Sequence, residues 1–427
     1  MSVTLASNRW RVFVFPFFNV LLNGFNFLFH IIAGRYLTTE QYGQFNALLA
    51  MFTLLSVVGL SIQLVTAKLS FQGRDIVVLS KAKKISLFTT VSCFILFAFV
   101  PIISKFIQIS ILSYIWLIIL IWLHIITSYY RGMMQGSGSL MKLNLSFYAE
   151  VGGKLLLVFF FINLTKTGLD VERLMLAVML GMLASTIYGY MSSTSGDDRA
   201  NRRNTGEKIS WQQVKQDLGQ SFVLNCSILF FLSIDMLAVH YFLPNQSGEY
   251  AVALKYGQLV YFAAFSIITA LVPKINKALA QEGETINAKT NTITIILAGY
   301  GICIFFGLIL YLLMSNVLFL PSISLFFGPE YSGVSAILLP IGIVYAILAL
   351  VVFLAYLHML SGNSRLKVWL LAGGVSIMIA FILNHRNLRQ ILVDEIIVYG
   401  LLSIGLFIDW LRYKNTDRVN SISTEGD

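Results

Sequence analysis

The feature that most constrains this chain is a repeated one: apolar runs of bilayer-crossing length, set off by short polar punctuation. Twelve can be read, at approximately 12–34, 44–67, 85–107, 112–130, 144–163, 173–192, 217–242, 249–272, 289–313, 333–357, 367–385 and 392–411. A helix rises 1.5 Å per residue, so about 20 apolar residues cross roughly 30 Å of hydrocarbon. Lipid offers the backbone no hydrogen bonds, which makes such runs helical. Composition agrees. Hydrophobic residues are 57% of the chain and charged residues 12%, where a soluble domain carries roughly 25% charged residues. Twelve spans leave about 170 of the 427 residues for tails and connections, too few for a soluble catalytic domain. The segment 314–332 carries Pro321 and Pro329, which argue against a continuous helix and suit a short re-entrant or interfacial piece.

Lysine and arginine placement sets the orientation. With both termini on the cytoplasmic side, 22 of the 30 basic residues fall on inward segments. Six fall outward (Arg35, Lys105, Lys166, Arg173, Arg386 and Arg389), and Lys154 and Lys255 lie inside spans. That bias follows the positive-inside rule. The formal charge of +10 is thereby explained by topology and anionic lipid, with no need of nucleic acid. The apolar stretch after Arg11 runs past twenty residues without a small-residue cleavage pattern, unlike a cleaved leader.

The longest polar segment, 193–216 (SSTSGDDRANRRNTGEKISWQQVK), separates six spans from six. The expected organisation is an all-α integral membrane protein. A six-helix bundle over 1–192 is followed by a cytoplasmic linker over 193–216, a second six-helix bundle over 217–411, and a cytoplasmic tail over 412–427. A shift of 205 residues sets Gly43-Gln44-Phe45 on Gly248-Glu249-Tyr250, Tyr36 on Tyr241 and Leu49 on Leu254. Repeated halves around a central site are a recurrent transporter plan.

Polar side chains at membrane depth are costly unless they face protein or water, so each is a functional candidate. Asn19, Asn23, Asn26 and His30 fall on one helical face about 60° wide. Such a stripe lines a hydrated pathway or bridges packed helices. Lys255, Gln258, Ser266 and Thr269 share a face of span 8. Glu150 and Lys154 are spaced i, i+4 with the acid first, the better order for a helical pair; either they neutralise one another or Lys154 faces a cavity and attracts an anion. Asp235 has no cation one turn away. It pairs across helices or takes up a proton or ion during a cycle. The 205-residue shift places it on His30.

Other motifs exclude more than they suggest. HExxH, paired CxxC and dinucleotide fingerprints do not occur in the sequence. Val151-Gly152-Gly153-Lys154 lacks the upstream glycine of a phosphate loop and lies inside a span. Cys93, Cys226 and Cys303 fall in apolar runs and read as buried hydrophobes, with no metal site or disulfide framework expected. Gly132, Gly136 and Gly138 are expected in a cytoplasmic turn, and His124, His358 and His385 read as isolated structural residues. No catalytic group, cofactor or metal is expected.

Several segments in chain order resemble a known family. HIIAGRYLTTEQYGQF is similar to the end of span 1 and start of span 2 in polysaccharide and oligosaccharide flippases. YRGMMQGSGSLMKLNLSFYAEVGGKLLL resembles their span 4–5 turn, and SIDMLAVHYFLPNQSGEYAVALK their seventh span. ALVPKINKAL and LFFGPEYSGVSAILLP resemble the end of span 8 and start of span 10. The resemblance implies the multidrug/oligosaccharidyl-lipid/polysaccharide exporter superfamily, with a MATE-like fold of two six-helix bundles. It implies transport of a polyprenyl-diphosphate-linked oligosaccharide from the cytoplasmic to the outer leaflet of a bacterial inner membrane, for cell-surface polysaccharide such as O-antigen. Polysaccharide polymerase machinery is the implied partner besides substrate and membrane lipid. In that reading Lys154 and Lys255 attract the anionic substrate, while Asp235 and Glu150 couple ions or pair helices. Family members often carry arginine near Lys154; lysine keeps the charge without the bidentate geometry. The competing readings are a cation-coupled multidrug exporter and, third, a membrane polysaccharide polymerase or ligase, for which the outward loops are short.

Overall fold

The computed structural model describes residues 3–71, 109–164, 168–194, 211–280, 286–361 and 363–424. Span 85–107 with Cys93 and Lys105, Lys166, and most of the 193–216 linker lie outside them. So do the side chains of Asn19, Ser266 and Thr269. The described residues form helices: α1 (Val3–Tyr36), α2 (Thr39–Leu55), α3 (Val57–Phe71), α4 (Ile111–Gly136), α5 (Leu140–Leu164) and α6 (Val171–Thr194) come first. Then follow α7 (Trp211–Phe231), α8 (Ile234–Phe242), α9 (Ser247–Ala280), α10 (Ile286–Met314), α11 (Leu320–Phe326), α12 (Ser335–Leu360), α13 (Leu366–Leu383) and α14 (Leu388–Thr424).

Nine stretches among the described residues are long and apolar enough to cross a membrane. They coincide with nine of the twelve expected spans. Runs 12–34 and 249–272 lie within α1 and α9. The chain divides into two compact units, Met1–Phe222 and Val223–Asp427, so the division falls inside α7, a few residues past the polar segment.

Local chemistry explains where these helices start and stop. α2 opens on a capping box in TTEQ: Thr38 Oγ1 accepts from Gln41 N, and Gln41 Oε1 accepts from Thr38 N, both at 3.2 Å. Two otherwise orphaned donors are satisfied reciprocally. The α4–α5 turn uses Gly138 at φ +74°, with Ser139 N donating to Met134 O at 2.9 Å; a left-handed residue here favours glycine. Gly132 belongs to helix α4 instead of the turn. A Cβ there would lie 2.6 Å from Gln63 O, so it is the smallness of glycine that lets α4 approach α3.

In the first unit α5 packs on α6, and α4 on both α3 and α6. Gly181 lies so close to α5 that a Cβ on it would sit 2.6 Å from Glu150 O and 3.0 Å from Lys154 N. A Cβ on Gly153 would meet Gly181 Cα at 3.2 Å. The two glycines of VGGK thus differ: Gly153 packs a helix, and Gly152 meets open space. Small residues are what allow membrane helices this contact.

In the second unit α12 is the central helix, buried along most of its length and packed on α9 and α14. The expectation for 314–332 needs correction. From Thr294 the helix runs to Phe326 through a π turn at Ser315–Phe319, and Pro321 sits in the first turn of α11. Proline is tolerated where a helix begins afresh, because the amide it lacks has no partner there anyway. The true interruption is Gly328 at φ +123°, followed by a 3₁₀ turn over Pro329–Val334. Isoleucine, phenylalanine and leucine side chains along α10 stand exposed, among them Ile302, Phe305, Leu310 and Leu313, as suits a surface solvated by lipid.

Candidate functional site

Two clusters of polar side chains occur at membrane depth, one in each unit. In the first, Arg131 near the end of α4 is 3% exposed. Its Nη2 donates to Glu150 Oε2 at 2.6 Å and to Ser185 Oγ at 3.0 Å, and its Nε donates to Ser146 Oγ at 3.0 Å. The guanidinium also lies 3.9 Å from the centroid of the Phe147 ring. Burying a cation is tolerable only with a carboxylate and further acceptors around it, and α5 and α6 supply both. Glu150 thereby bonds across helices to Arg131, and its i, i+4 relation to Lys154 remains as an electrostatic interaction.

Lys154 turns the other way, toward α1. Its Nζ donates to Asn26 Oδ1 at 2.6 Å and lies 4.5 Å from the Phe29 ring centroid. Both partners are neutral. They hold the ammonium in place while Glu150 acts on it electrostatically, the aromatic face contributing about 0.5–2 kcal/mol. Within the asparagine stripe, Asn26 therefore serves as the anchor for Lys154, while Asn23 is exposed. His30 lies with Nδ1 3.4 Å from the Tyr42 hydroxyl and packs edge-on to Phe29. Tyr148 closes the same α1–α5 contact, donating to Phe18 O at 2.7 Å.

In the second unit the seventh span is broken. Helix α7 ends at Phe231, Ser233 has φ −128° and ψ −26°, and α8 restarts at Ile234. Asp235 thus stands in a helical first turn, where free amides and the helix dipole favour a carboxylate. Its Oδ1 accepts from Met236 N at 2.7 Å, and its Oδ2 accepts from Tyr250 Oη at 3.0 Å and Tyr345 Oη at 3.1 Å. Asp235 is 1% exposed. Lys255 acts on it electrostatically, and Gln258 interacts with the Tyr345 hydroxyl. The anticipated cross-helix cation is replaced as direct partner by two phenols.

Glu395 on α14 was not singled out from the sequence. It is fully buried, and both its carboxylate oxygens are without a hydrogen-bond partner among the described residues. It interacts electrostatically with Asp235, Tyr250, Tyr345 and Tyr399. Two carboxylates amid phenols and no described arginine can exchange a proton or receive a cation, since a buried like-charged pair is unfavourable with both groups ionised and uncompensated. The relation under the 205-residue shift extends to contacts within each unit. His30 packs against Phe45 at 6.5 Å between ring centroids, and at the shifted positions Asp235 bonds Tyr250.

The histidines expected to be isolated have defined neighbours. His124 lies against Phe52 and Ser128, and His385 stacks on Phe242 at 4.2 Å. His358 is held by Leu406 O and Asn363, and Asn363 with Arg365 binds Asp409, tying the ends of α12 and α13 to α14. Cys226 and Cys303 are free thiols. Among the described residues no group of three His, Cys, Asp or Glu side chains could hold a metal ion.

Comparison with known proteins agrees with this architecture. An inward-facing multidrug resistance MATE family transporter of the MOP superfamily superimposes with a TM-score of 0.74 at 12% identity, over 92% of this chain and 94% of that one. The lipid II flippase MurJ, in an inward closed conformation, gives 0.71 at 12% identity over 93% and 87%. An outward-facing MATE transporter gives 0.62 at 12% identity over 93% and 92%. No curated protein sequence matches the chain. At such identities the likeness establishes the fold, an all-α MATE- and MurJ-like membrane architecture. The sequence itself matches the model of the polysaccharide biosynthesis protein family over residues 11–279, and the chain belongs to that family.

Proposed function

We propose that the protein is a flippase that moves a polyprenyl-diphosphate-linked oligosaccharide from the cytoplasmic to the outer leaflet of a bacterial inner membrane by alternating access. The product feeds cell-surface polysaccharide synthesis of the O-antigen kind, and both termini stay cytoplasmic. The observation that carries this reading is Lys154. Midway along α5, it is held by Asn26 and Phe29 while the nearby carboxylate belongs to Arg131. An ammonium whose direct partners are neutral, with the nearby carboxylate bonded to Arg131, still attracts a diphosphate. Asn23 and Asn26 offer hydrogen bonds to sugar hydroxyls, and Asn19 and His30 extend the same stripe. Family membership in polysaccharide biosynthesis supports the substrate class, and the fold shared with MurJ and MATE transporters supports transport over catalysis.

The Asp235–Glu395 cluster supplies the drive. In this reading it takes up a proton or cation on one side and releases it on the other. Lys255 and Gln258 set its charge and hydrogen bonding. Reconstituted protein is expected to transfer a fluorescent lipid-linked oligosaccharide between leaflets. Unchanged transfer by the Lys154→Ala/Lys255→Ala variant, at equal protein level, rejects the charge roles. The second reading, a cation-coupled multidrug exporter, draws on the MATE likeness and the buried carboxylates. Efflux of cationic dyes without leaflet transfer of the lipid-linked sugar would establish it instead.

A further inference from the structure

The turn that joins α12 to α13 is fastened to α14 through His358, a fully buried histidine that neither the Lys154 nor the Asp235 cluster uses. Its Nε2 lies 2.9 Å from Leu406 O. A carbonyl oxygen only accepts, so Nε2 carries a hydrogen. On the other side of the ring, Nδ1 lies 2.9 Å from Asn363 Nδ2. The orientation of that amide is fixed from both ends: Oδ1 accepts from Arg365 N at 3.0 Å, and Nδ2 donates to Asp409 Oδ2 at 3.0 Å. Asn363 therefore donates to Nδ1, which bears no hydrogen of its own. These contacts suit the neutral ring alone. The backbone adds a second tie, with Asn363 N donating to His358 O at 3.0 Å.

A second proton on the ring breaks this arrangement. An Nδ1–H would meet the Asn363 amide donor to donor, in a place sealed from water. The acceptor at hand is Asp409 Oδ2, 3.9 Å from Nδ1 and outside hydrogen-bond range. For the two to meet, the amide that bridges them has to withdraw, and Arg365 N then loses its acceptor. Asp409 favours the protonated ring, while Arg365, whose Nη1 donates to Asp409 Oδ1 at 3.2 Å, opposes it. The Asp409 side chain is 7% exposed and that of Arg365 67%, so water screens the cation more than the acid. Lys367 and Arg412 are exposed as well. The charged side chains that α9 contributes among the described residues belong to its other end, Glu249 against Gly333 and Lys255 acting on Asp235. The described side chains of α10 are uncharged.

We propose that His358, Asn363 and Asp409 form a pH-operated latch. With His358 neutral, Asn363 bridges the ring to Asp409 and holds the α12–α13 turn against α14. With His358 protonated, the ring pairs with Asp409 directly, Asn363 is released and the turn comes free. Histidine suits the task because its ordinary titration falls near neutral pH. The movement stays local, since α13 and α14 are seated closely on one another. A Cβ on Gly373 would lie 2.7 Å from Leu402 Cδ2, and one on Gly405 would run into the Trp369 ring. In the orientation read from the basic residues the turn faces the cytoplasm, so the latch senses cytoplasmic pH. It does not depend on what the protein carries.

The test follows amide hydrogen exchange of the full chain in nanodiscs, with rates corrected for the intrinsic effect of pH on exchange. Between about pH 7.5 and about pH 5, either side of histidine's ordinary value of about 6.5, protection of the Asn363 and Arg365 amides is expected to fall about tenfold. Protection in the middle of α13 should stay unchanged. His358→Gln keeps a donor for Leu406 O and takes up no proton, so its turn should exchange alike at both pH values. Asp409→Asn removes the acid that favours the protonated ring and should move the loss of protection to lower pH. Arg365→Gln, at an exposed position, removes the opposing cation and should move it to higher pH. Protection that ignores pH in the wild-type protein overturns the latch, as does a loss that persists in His358→Gln. If His358→Gln does not fold, the other two variants decide: shifts in opposite directions support the latch, and shifts in one direction or none overturn it.

Discussion

The two units manage charge at membrane depth in opposite ways. In the first, the carboxylate is consumed: Glu150 sits 2.6 Å from Arg131, and the cation left over, Lys154, rests on an amide and an aromatic face. In the second, Asp235 is held by two tyrosine hydroxyls, and Glu395 has no described hydrogen-bond partner. One unit thus presents a cation whose direct contacts are neutral, and the other presents an acid whose direct side-chain bonds come from phenols, with Glu150 and Lys255 respectively acting on them electrostatically. Direct contacts with neutral partners leave more of a charge's field available than a close ion pair does. In the proposed function this difference suits the first unit to the anionic substrate and the second to a proton or cation.

Lys154→Ala makes the largest break in that contrast. Leaflet transfer of a lipid-linked oligosaccharide is expected to fall at least tenfold, with Lys154→Arg retaining more activity than alanine. Loss equal in the two variants would mean that the ammonium's hydrogen bond, and not its charge, is what matters. Next comes Glu150→Ala, which strands Arg131 without a carboxylate. Breaking a buried pair in this way costs about 3–5 kcal/mol, so thermal unfolding in detergent should shift strongly downward. Replacing both residues with apolar ones should recover most of the loss.

Asp235→Asn sharpens the other side. It should change the dependence of transfer on proton or sodium gradients while leaving the apparent affinity for lipid-linked substrate within about twofold, a change worth under 0.5 kcal/mol. A changed affinity with unchanged ion dependence would place Asp235 on the substrate path. Tyr250→Phe and Tyr345→Phe each remove one hydrogen bond to the carboxylate, about 1.5–3 kcal/mol of interaction for a charged acceptor. Each should shift the ion dependence less than Asp235→Asn, and the double variant more than either. Thr38→Ala is the smallest: it removes one half of the α2 capping box and should cost about 1 kcal/mol, read as a modest drop in thermal stability with transfer unaltered.

The spans were legible because hydropathy over twenty residues has few alternatives: nine of the twelve match described stretches long and apolar enough to cross a membrane, and two more lie within α1 and α9. Pairing was harder to read. Arg131 lies next to the YRGMMQG turn and looks like a cytoplasmic charge, since a cation buried in a bundle end and one in water look the same in sequence. Glu395 was overlooked for a related reason, standing near the start of its span where carboxylates are usually solvated. The i, i+4 rule pointed Glu150 at Lys154, but that rule describes an isolated helix. Here the neighbouring helix α4 offered a bidentate-capable guanidinium to the acid, and α1 offered an amide to the lysine. The break before Asp235 carried no proline or glycine to mark it.

Gly153 and Gly181 have a mechanical consequence. Where two helices touch backbone to backbone, no side chain remains to yield, and sliding one past the other requires prising them apart first. Helices α5 and α6 therefore form a stiff strut, and Lys154, whose own backbone is part of the contact, rides on it at fixed reach. Any compliance that a transport cycle demands must come from elsewhere in the chain. Within the second unit, the interruptions at Ser233 and Gly328 are the joints where a spanning segment can bend.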